Sequence, residues 1–252
     1  MPHPQTQPGP AGTERVAAIV LAAGSGSRFG SSPEEVPKQF LDLAGEPVVV
    51  RSVRAMLACK AVQTIVCAVP SAWREHAEAL FEAAALGPRV TLLDGGPTRQ
   101  DSARLSLEAL AHPAPPDSHP APPDLVLLHD AVRPLVPPGV VQTSLDAARE
   151  HGAAVVAAPT VDTIAATNAG FLETVLDRST LVNIQTPQAF RYGLIRDAHR
   201  RAADEGVTGA SDDAALVLRL GHRVAVVPGP PTNIKITSAA DLELARLLAP
   251  AS

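Results

Sequence analysis

The chain has 252 residues, 46% of them hydrophobic, with 21 Lys and Arg against 26 Asp and Glu for a net charge of −5. That apolar content is ample for one large α/β domain or two small ones. The acidic balance excludes a general nucleic-acid surface, and no run approaches the ~20 apolar residues of a membrane span, so cations that bind phosphate have to act locally and no membrane partner is expected.

In chain order, residues 1–13 are rich in Pro and Gln and lack the apolar core of a signal peptide; they read as a disordered tail ahead of a single domain over 14–252. Residues 16–23 are eight consecutive apolar residues, as in a strand covered on both faces. The chain then enters Gly24-Ser25-Gly26-Ser27-Arg28-Phe29-Gly30, where Gly24 and Gly26 let backbone N–H groups turn inward without a clashing Cβ. Arg28, and Lys38 within Pro37-Lys38-Gln39-Phe40, supply the cations of a polyphosphate cradle. The loop is not a P-loop, because no Lys-Ser or Lys-Thr pair follows its glycines. Nor is it a dinucleotide fingerprint, since Gly30 comes one place late and Phe29 stands in the required slot. A glycine turn that serves only tight packing is the alternative, and the two cations favour phosphate.

A helix is expected over 48–60 and a strand over 64–69, which ends at Pro70 where a ribose-binding acid would otherwise stand. Cys59 and Cys67 fall in these segments without metal-ligand spacing or a disulfide framework, and they read as buried thiols of a cytoplasmic protein. A helix over 72–85 and a strand over 90–93 lead into Asp94-Gly95-Gly96-Pro97-Thr98-Arg99-Gln100-Asp101-Ser102. Its paired glycines expose backbone donors and acceptors, and Ser102 adds a hydroxyl near a helix N-terminus, which suits the edge of a nucleobase. An ordinary turn capped by Asp101 or Ser102 is the plainer reading. After a helix over 102–111, six prolines between His112 and Pro123 make an exposed spacer.

A strand over 125–129 ends in His129-Asp130-Ala131-Val132-Arg133-Pro134, where charge appears abruptly. An Asp at the carboxyl end of a parallel strand can hold a divalent cation that bridges phosphates, although Asp130 and Arg133 could simply pair with each other. His129 reads as a packing or hydrogen-bonding residue. A helix over 140–151 and a strand over 154–158 follow. Then two short strand-like runs, 161–167 and 171–176, flank Asn168-Ala169-Gly170, as in a hairpin inserted at about 160–185. Such an arm exposes apolar side chains unless a second subunit covers them, so a homodimer is expected. Helices are expected over 189–205, 212–220 and 239–248, with a strand over 224–227; Ser211 and Ser238 are the capping signals. Within the strand-like run Asn233-Ile234-Lys235-Ile236-Thr237, the lone Lys235 calls for an anion, a snorkelling edge-strand lysine being the common alternative. Repeated β/α alternation makes the fold α/β, a doubly wound, mostly parallel Rossmann-like sheet with an inserted β-hairpin dimerisation arm and ligands at the carboxyl ends of its strands.

These segments, LAAGSGSRFG with PKQF, DGGPTRQDS, HDAVRP, APTVDTI, LDRSTLVNIQTPQAF, ASDDAAL and NIKIT, together resemble the nucleotidyltransferases and, among them, the 2-C-methyl-D-erythritol 4-phosphate cytidylyltransferase family. The resemblance implies transfer of CMP from CTP to 2-C-methyl-D-erythritol 4-phosphate in the non-mevalonate route to isoprenoids, with Mg²⁺ or another divalent cation as cofactor. It implies that Arg28, Lys38 and Lys235 are the catalytic cations and that Asp130 is the metal residue. It also implies that Ala22, Ala23, Gly24, Ser25 and Gly26 cradle the nucleotide, with Gly96 and Ser102 against cytosine or its ribose. Arg133, Thr186 and Ser211 match the acceptor site, and Thr163 and Arg178 match residues that the arm projects into a neighbouring subunit's site. The segment between Arg28 and Lys38 is longer than is usual in that family, and Val132 and Ser211 replace a commoner Ala and Thr. A ribitol 5-phosphate cytidylyltransferase is the nearest alternative. A dinucleotide-dependent oxidoreductase and a non-catalytic nucleotide-binding module are the others.

Overall fold

The computed structural model describes residues 14–24, 36–111, 122–210 and 212–249. The expected tail, the glycine-loop residues Ser25, Gly26 and Arg28, most of the proline-rich spacer, and Ser211 lie outside the described residues. The chain runs β1 (Val16–Leu21), β2 (Asp42–Leu43), β3 (Glu46–Pro47), α1 (Val48–Leu57), β4 (Val62–Val69), α2 (Arg74–Ala83), β5 (Val90–Asp94), α3 (Arg99–Ala111) and β6 (Leu125–Asp130). It continues through α4 (Pro138–His151), β7 (Ala153–Pro159), β8 (Ala165–Asn168), β9 (Phe171–Val175), β10 (Val182–Arg191), α5 (Tyr192–Asp204), α6 (Asp213–Arg219), β11 (Ala225–Pro228) and α7 (Ala239–Leu248).

A seven-stranded sheet has the order β11-β7-β10-β6-β1-β4-β5. The pairs β1–β4, β1–β6, β4–β5 and β7–β11 are parallel, whereas β10 runs antiparallel to both β6 and β7. The strand sequence reverses direction across β1, which leaves a crevice at the carboxyl ends of β1 and β6, the usual ligand position in such sheets. Alternate residues of β1 serve opposite layers, as the two-residue period requires. Ala18 and Val20 join a core with Val53 and Met56 of α1, Phe81 of α2 and Leu145 of α4. Ile19 and Leu21 join another with Leu107 of α3, Ile195 of α5 and Leu216 of α6. Complete burial of a side chain the size of Ile19 contributes about 1.5–3 kcal/mol relative to leaving it in water, so these two layers hold the strand ends in place.

Helix ends follow local chemistry. Pro138 opens α4 and Gly152, at φ 86°, closes it, the positions where a missing N–H and a left-handed backbone are tolerated. Ser238 and Asp241 form the expected capping box of α7. At α6 the cap is Asp212, which accepts from the Ala215 N–H (2.9 Å).

Two expectations are corrected. The helix expected from residue 189 begins at Tyr192, and the residues before it belong to β10, where Gln188, Ala189 and Phe190 pair with Leu128, Leu127 and Val126. A strand buried on both faces has no amphipathic period to announce it, and pairing with β6 overrides local helix preference. The run 233–237 is not a strand. Its backbone donors go to loop carbonyls, the Asn233 N–H to Pro230 (3.1 Å) and the Ile236 N–H to Val132 (2.9 Å), and the buried Ile236 side chain anchors it there, outside any strand ladder.

Candidate active site

The crevice is built from three adjacent strand ends. Leu21 of β1 stands opposite Asp130 of β6 and Ala68 of β4. Beyond the strand, the Ala22 N–H donates to the Ala68 carbonyl (2.8 Å) and the Ala131 N–H to the Leu21 carbonyl (3.0 Å), so the sheet extends one step into the loops. The chain after β1 is then held by Gln39, which is 2% exposed. Its Nε2 donates to the Ala22 carbonyl (2.7 Å) and the Gly24 carbonyl (3.3 Å). Lys38 precedes it on the same 3-10 turn, Lys38–Phe40, so the segment that carries one expected catalytic cation also pins the start of the glycine loop.

Asp130, 6% exposed, is the buried charge at the centre. Its Oδ1 accepts from Arg99 Nε (3.0 Å) and its Oδ2 from Lys235 Nζ (2.8 Å). Burial works against the carboxylate, but the charges of Arg99 and Lys235 outweigh it and hold the group well below the ordinary range, ionised at neutral pH. The alternative pairing of Asp130 with the Arg133 side chain is not what forms. Arg133 instead donates to the Asn233 carbonyl (2.8 Å) and the Ile184 carbonyl (3.4 Å), bracing the segment before Lys235 against β10.

Behind Asp130 lies a short polar chain. Thr186 Oγ1 accepts from the Asp130 N–H (3.0 Å) and lies 3.1 Å from His129 Nδ1, while His129 Nε2 lies 3.1 Å from the Arg133 carbonyl. Burial pushes the His129 imidazole down to about 4, so the ring is neutral at pH 7. A carbonyl can only accept, so Nε2 carries the hydrogen and Nδ1 accepts from the threonine hydroxyl. His129 is therefore a hydrogen-bonding residue, as expected, and Thr186 is fixed by donors and acceptors on both sides. Asn233 closes the group by donating to the Thr186 carbonyl (2.9 Å) and to Gln185 Oε1 (2.9 Å).

On the other flank, the Gly95 N–H continues the sheet to the Val69 carbonyl (2.8 Å). Ser102 Oγ accepts from the Gly96 N–H (3.1 Å) and donates to the Thr98 carbonyl (2.9 Å), which shapes the glycine pair into a turn facing the loop after β1. The approach is close: a Cβ on Gly95 would lie 2.1 Å from the Ala23 Cβ. Helix α3 starts at Arg99, earlier than expected, because Thr98 rather than Asp101 or Ser102 caps it, accepting from the Asp101 N–H (3.0 Å) and donating to the Asp101 carboxylate (2.7 Å). This puts Arg99 in the first turn, reaching Asp130 through Nε and Asp213 Oδ2 through Nη1 (2.8 Å).

Thr163 and Arg178 sit on the arm, where β8 and β9 pair as a separate two-stranded sheet. Arg178 Nη1 donates to the Val161 carbonyl (3.0 Å). Phe171 is 78% exposed, and Leu172, Val175, Val161 and Val182 are exposed beside it.

Of the expected site residues, the described structure gathers Ala22, Ala23, Gly24, Lys38, Gly96, Ser102, Asp130, Arg133, Thr186 and Lys235 around the strand ends and sets Thr163 and Arg178 apart on the arm. Sequence reasoning assigned no role to Arg99, Gln39 or Asp213. The only signal for them was membership in the segments TRQDS, PKQF and SDDAAL. Among the described residues, no group of three His, Cys, Asp or Glu side chains could hold a metal by itself. Asp130 nonetheless suits Mg²⁺, which takes one or two carboxylates together with substrate phosphates and water. One of its two oxygens is held by a lysine, 39% exposed, that stands where a second cation could stand.

A family model described as IspD, 2-C-methyl-D-erythritol 4-phosphate cytidylyltransferase, matches residues 16–249. The chain is 41% identical over 237 residues to the 2-C-methyl-D-erythritol 4-phosphate cytidylyltransferase of Acidobacterium capsulatum, across 92% of this chain and 95% of that one. It is 43% identical over 235 residues to the enzyme of the same name from Pelotomaculum thermopropionicum, across 92% and 93%. It is also similar to the crystal structure of 2-C-methyl-D-erythritol 4-phosphate cytidylyltransferase from Thermus thermophilus, with a TM-score of 0.73 and 34% identity over 93% of this chain and 98% of that one.

Proposed function

The chain belongs to the 2-C-methyl-D-erythritol 4-phosphate cytidylyltransferase family, and from that premise we propose how its residues divide the reaction. It is a nucleotidyltransferase that transfers CMP from CTP to 2-C-methyl-D-erythritol 4-phosphate, releasing pyrophosphate, in the route to isoprenoid precursors; ribitol 5-phosphate is not the favoured acceptor.

The observation that carries the residue assignments is the buried, ionised Asp130 at the end of β6, ringed by Arg99, Lys235 and the pinned end of β1. An acceptor phosphate oxygen attacks the α-phosphorus in line and pyrophosphate leaves, so no protein nucleophile is required. The protein's task is positioning and the neutralisation of charge that builds on the phosphorus and the leaving group. Arg28 and Lys38 neutralise the triphosphate that residues 22–26 cradle, and Lys235, beside Asp130, is a further phosphate-directed cation. Asp130 would hold Mg²⁺, which would supply neutralisation of the triphosphate's charge. Gly96 and Ser102 shape the turn against cytosine or ribose, and Arg133, Thr186 and Ser211 line the acceptor side. Thr163 and Arg178 complete the acceptor site of a second subunit, so the working unit is a homodimer. The exposed apolar arm supports this, because uncovered side chains such as Phe171 and Leu172 gain free energy only when another surface buries them. A cytoplasmic setting is supported by two cysteines that are both free and buried. No described helix is long and apolar enough to cross a membrane.

The test is pyrophosphate release with CTP and Mg²⁺, comparing methylerythritol 4-phosphate with ribitol 5-phosphate, and with ATP, GTP and UTP as controls. Preference for CTP with the branched acceptor is expected. Preference for ribitol phosphate would preserve the chemistry and reassign the acceptor.

A further inference from the structure

Among the described residues, Arg99 is held differently from the other cations around Asp130. Its guanidinium spans two buried carboxylates, Nε on Asp130 Oδ1 at 3.0 Å and Nη1 on Asp213 Oδ2 at 2.8 Å. Asp213 is itself 1% exposed and is fixed from behind by His199 Nε2 at 3.0 Å from its Oδ1. Its backbone sits in the first turn of α6, where the Ala214 N–H donates to Gln188 Oε1 (3.0 Å). The line His199–Asp213–Arg99–Asp130 thus joins α5, α6, α3 and β6 through side chains alone.

Such an array is a poor device for stability, because desolvating the charged groups of Asp213, Arg99 and Asp130 offsets most of what their attraction returns. It is a good device for orientation. A guanidinium is planar, and when two of its nitrogens are claimed from different elements neither its position nor its plane can drift. Lys235 is the opposite case: a flexible stem from a segment outside any helix or strand, 39% exposed, attached to Asp130 by one contact. One oxygen of Asp130 is therefore fixed, and the other is held by a partner that can exchange.

We propose that Arg99 is a positioning residue: anchored by Asp213, it locks the Asp130 carboxylate so that Oδ2, now occupied by Lys235, is presented to the metal of the incoming nucleotide. The proposal rests on the reading of Asp130 as the metal residue. Loss of a group that orients a metal ligand typically weakens metal affinity about 10–100-fold even though the group never touches the ion.

The experiment uses the full-length protein and measures CTP affinity by calorimetry without acceptor, with and without Mg²⁺, beside the thermal transition of each variant. In Arg99→Gln, His199 still pairs with Asp213 and Lys235 with Asp130, and the gain in CTP affinity on adding Mg²⁺ should shrink about tenfold while Mg²⁺-free affinity stays within about threefold. Arg99→Lys keeps a charge but cannot span both carboxylates, and should lose part of the gain. It carries the test if the glutamine variant does not fold. A wild-type gain in a folded Arg99→Gln protein, or in Arg99→Lys, overturns the positioning role. Asp130→Asn separates the two readings. If it abolishes the gain while the Arg99 variants retain it, only the positioning inference falls; if it preserves the gain, the metal assignment falls and takes this inference with it.

Discussion

Lys235 Nζ lies 2.8 Å from Asp130 Oδ2, although 105 residues separate the two in the chain. One end of this pair is almost fully buried and the other is 39% exposed. Asp130 keeps Arg99 without the lysine, but its buried Oδ2 loses a charged donor, at about 1–3 kcal/mol. The expected outcome for Lys235→Met is a fall in turnover of about 10²-fold or more, beyond what that modest loss of stability explains. Pyrophosphate release and scanning calorimetry on one preparation test this. Near-normal turnover would remove Lys235 from the catalytic group.

Gln39 ties the Ala22 and Gly24 carbonyls from a fully buried position. Gln39→Leu keeps most of the volume but leaves those acceptors without this donor, at about 1–3 kcal/mol. We expect that loss in urea unfolding together with a several-fold rise in KM for CTP. An unchanged KM would mean that the loop keeps its shape without the glutamine.

Gly95 faces Ala23 across the crevice, and an added methyl would lie 2.1 Å from the Ala23 Cβ, with Ser102 Oγ at 3.0 Å. Gly95→Ala must push the loop after β1 away, and should lower both stability, by about 1–3 kcal/mol, and turnover. The double variant Gly95→Ala/Ala23→Gly removes the clashing partner and should recover much of both. Failure of the second change to restore anything would place the harm in the backbone of Gly95 itself.

The arm offers a separable test. Phe171→Asp, at a position 78% exposed, should leave the thermal transition of the monomer's core unmoved while shifting sedimentation from dimer to monomer. Arg178→Ala should raise KM for the acceptor and spare CTP binding. Equal loss of both substrates would count against a site shared between subunits.

Glu108 on α3 accepts from Arg196 (3.0 Å) and Arg200 (2.7 Å) of α5. The hydrogen bonds from Arg196 and then Arg200 hold its carboxyl at about 2, against 4.5 for the free group. The folded value lies below the unfolded one, so this contribution is present in full above pH 4.5 and is lost as pH falls toward 2. With solvent screening at a position 27% exposed, Glu108→Gln should be less stable by about 1 kcal/mol at pH 7. In denaturant unfolding the gap should narrow steadily below pH 4.5; a gap independent of pH would assign it to packing.

Much of this protein is determined by its sequence alone, and for local reasons. Unbroken apolar runs, capping residues and turns with Gly and Asn set the β/α alternation, the arm around Asn168-Ala169-Gly170 and the appearance of charge at Asp130, because each depends on neighbours a few residues away. Other features come from distant partners and only the tertiary structure decided them. Gln188, Ala189 and Phe190 are strand because β6 and β7 flank them, not because of any period of their own. Arg99 is one polar residue among several in TRQDS until folding brings Asp130, 31 positions away, and Asp213, 114 positions away, to opposite ends of its guanidinium. Gln39 likewise has no local mark of its role beside Ala22. Side-chain hydrogen bonds and ion pairs depend on distance in space, and a sequence orders residues only along the chain, so the charge at the end of β6 could be read from the chain and the wiring around it could not.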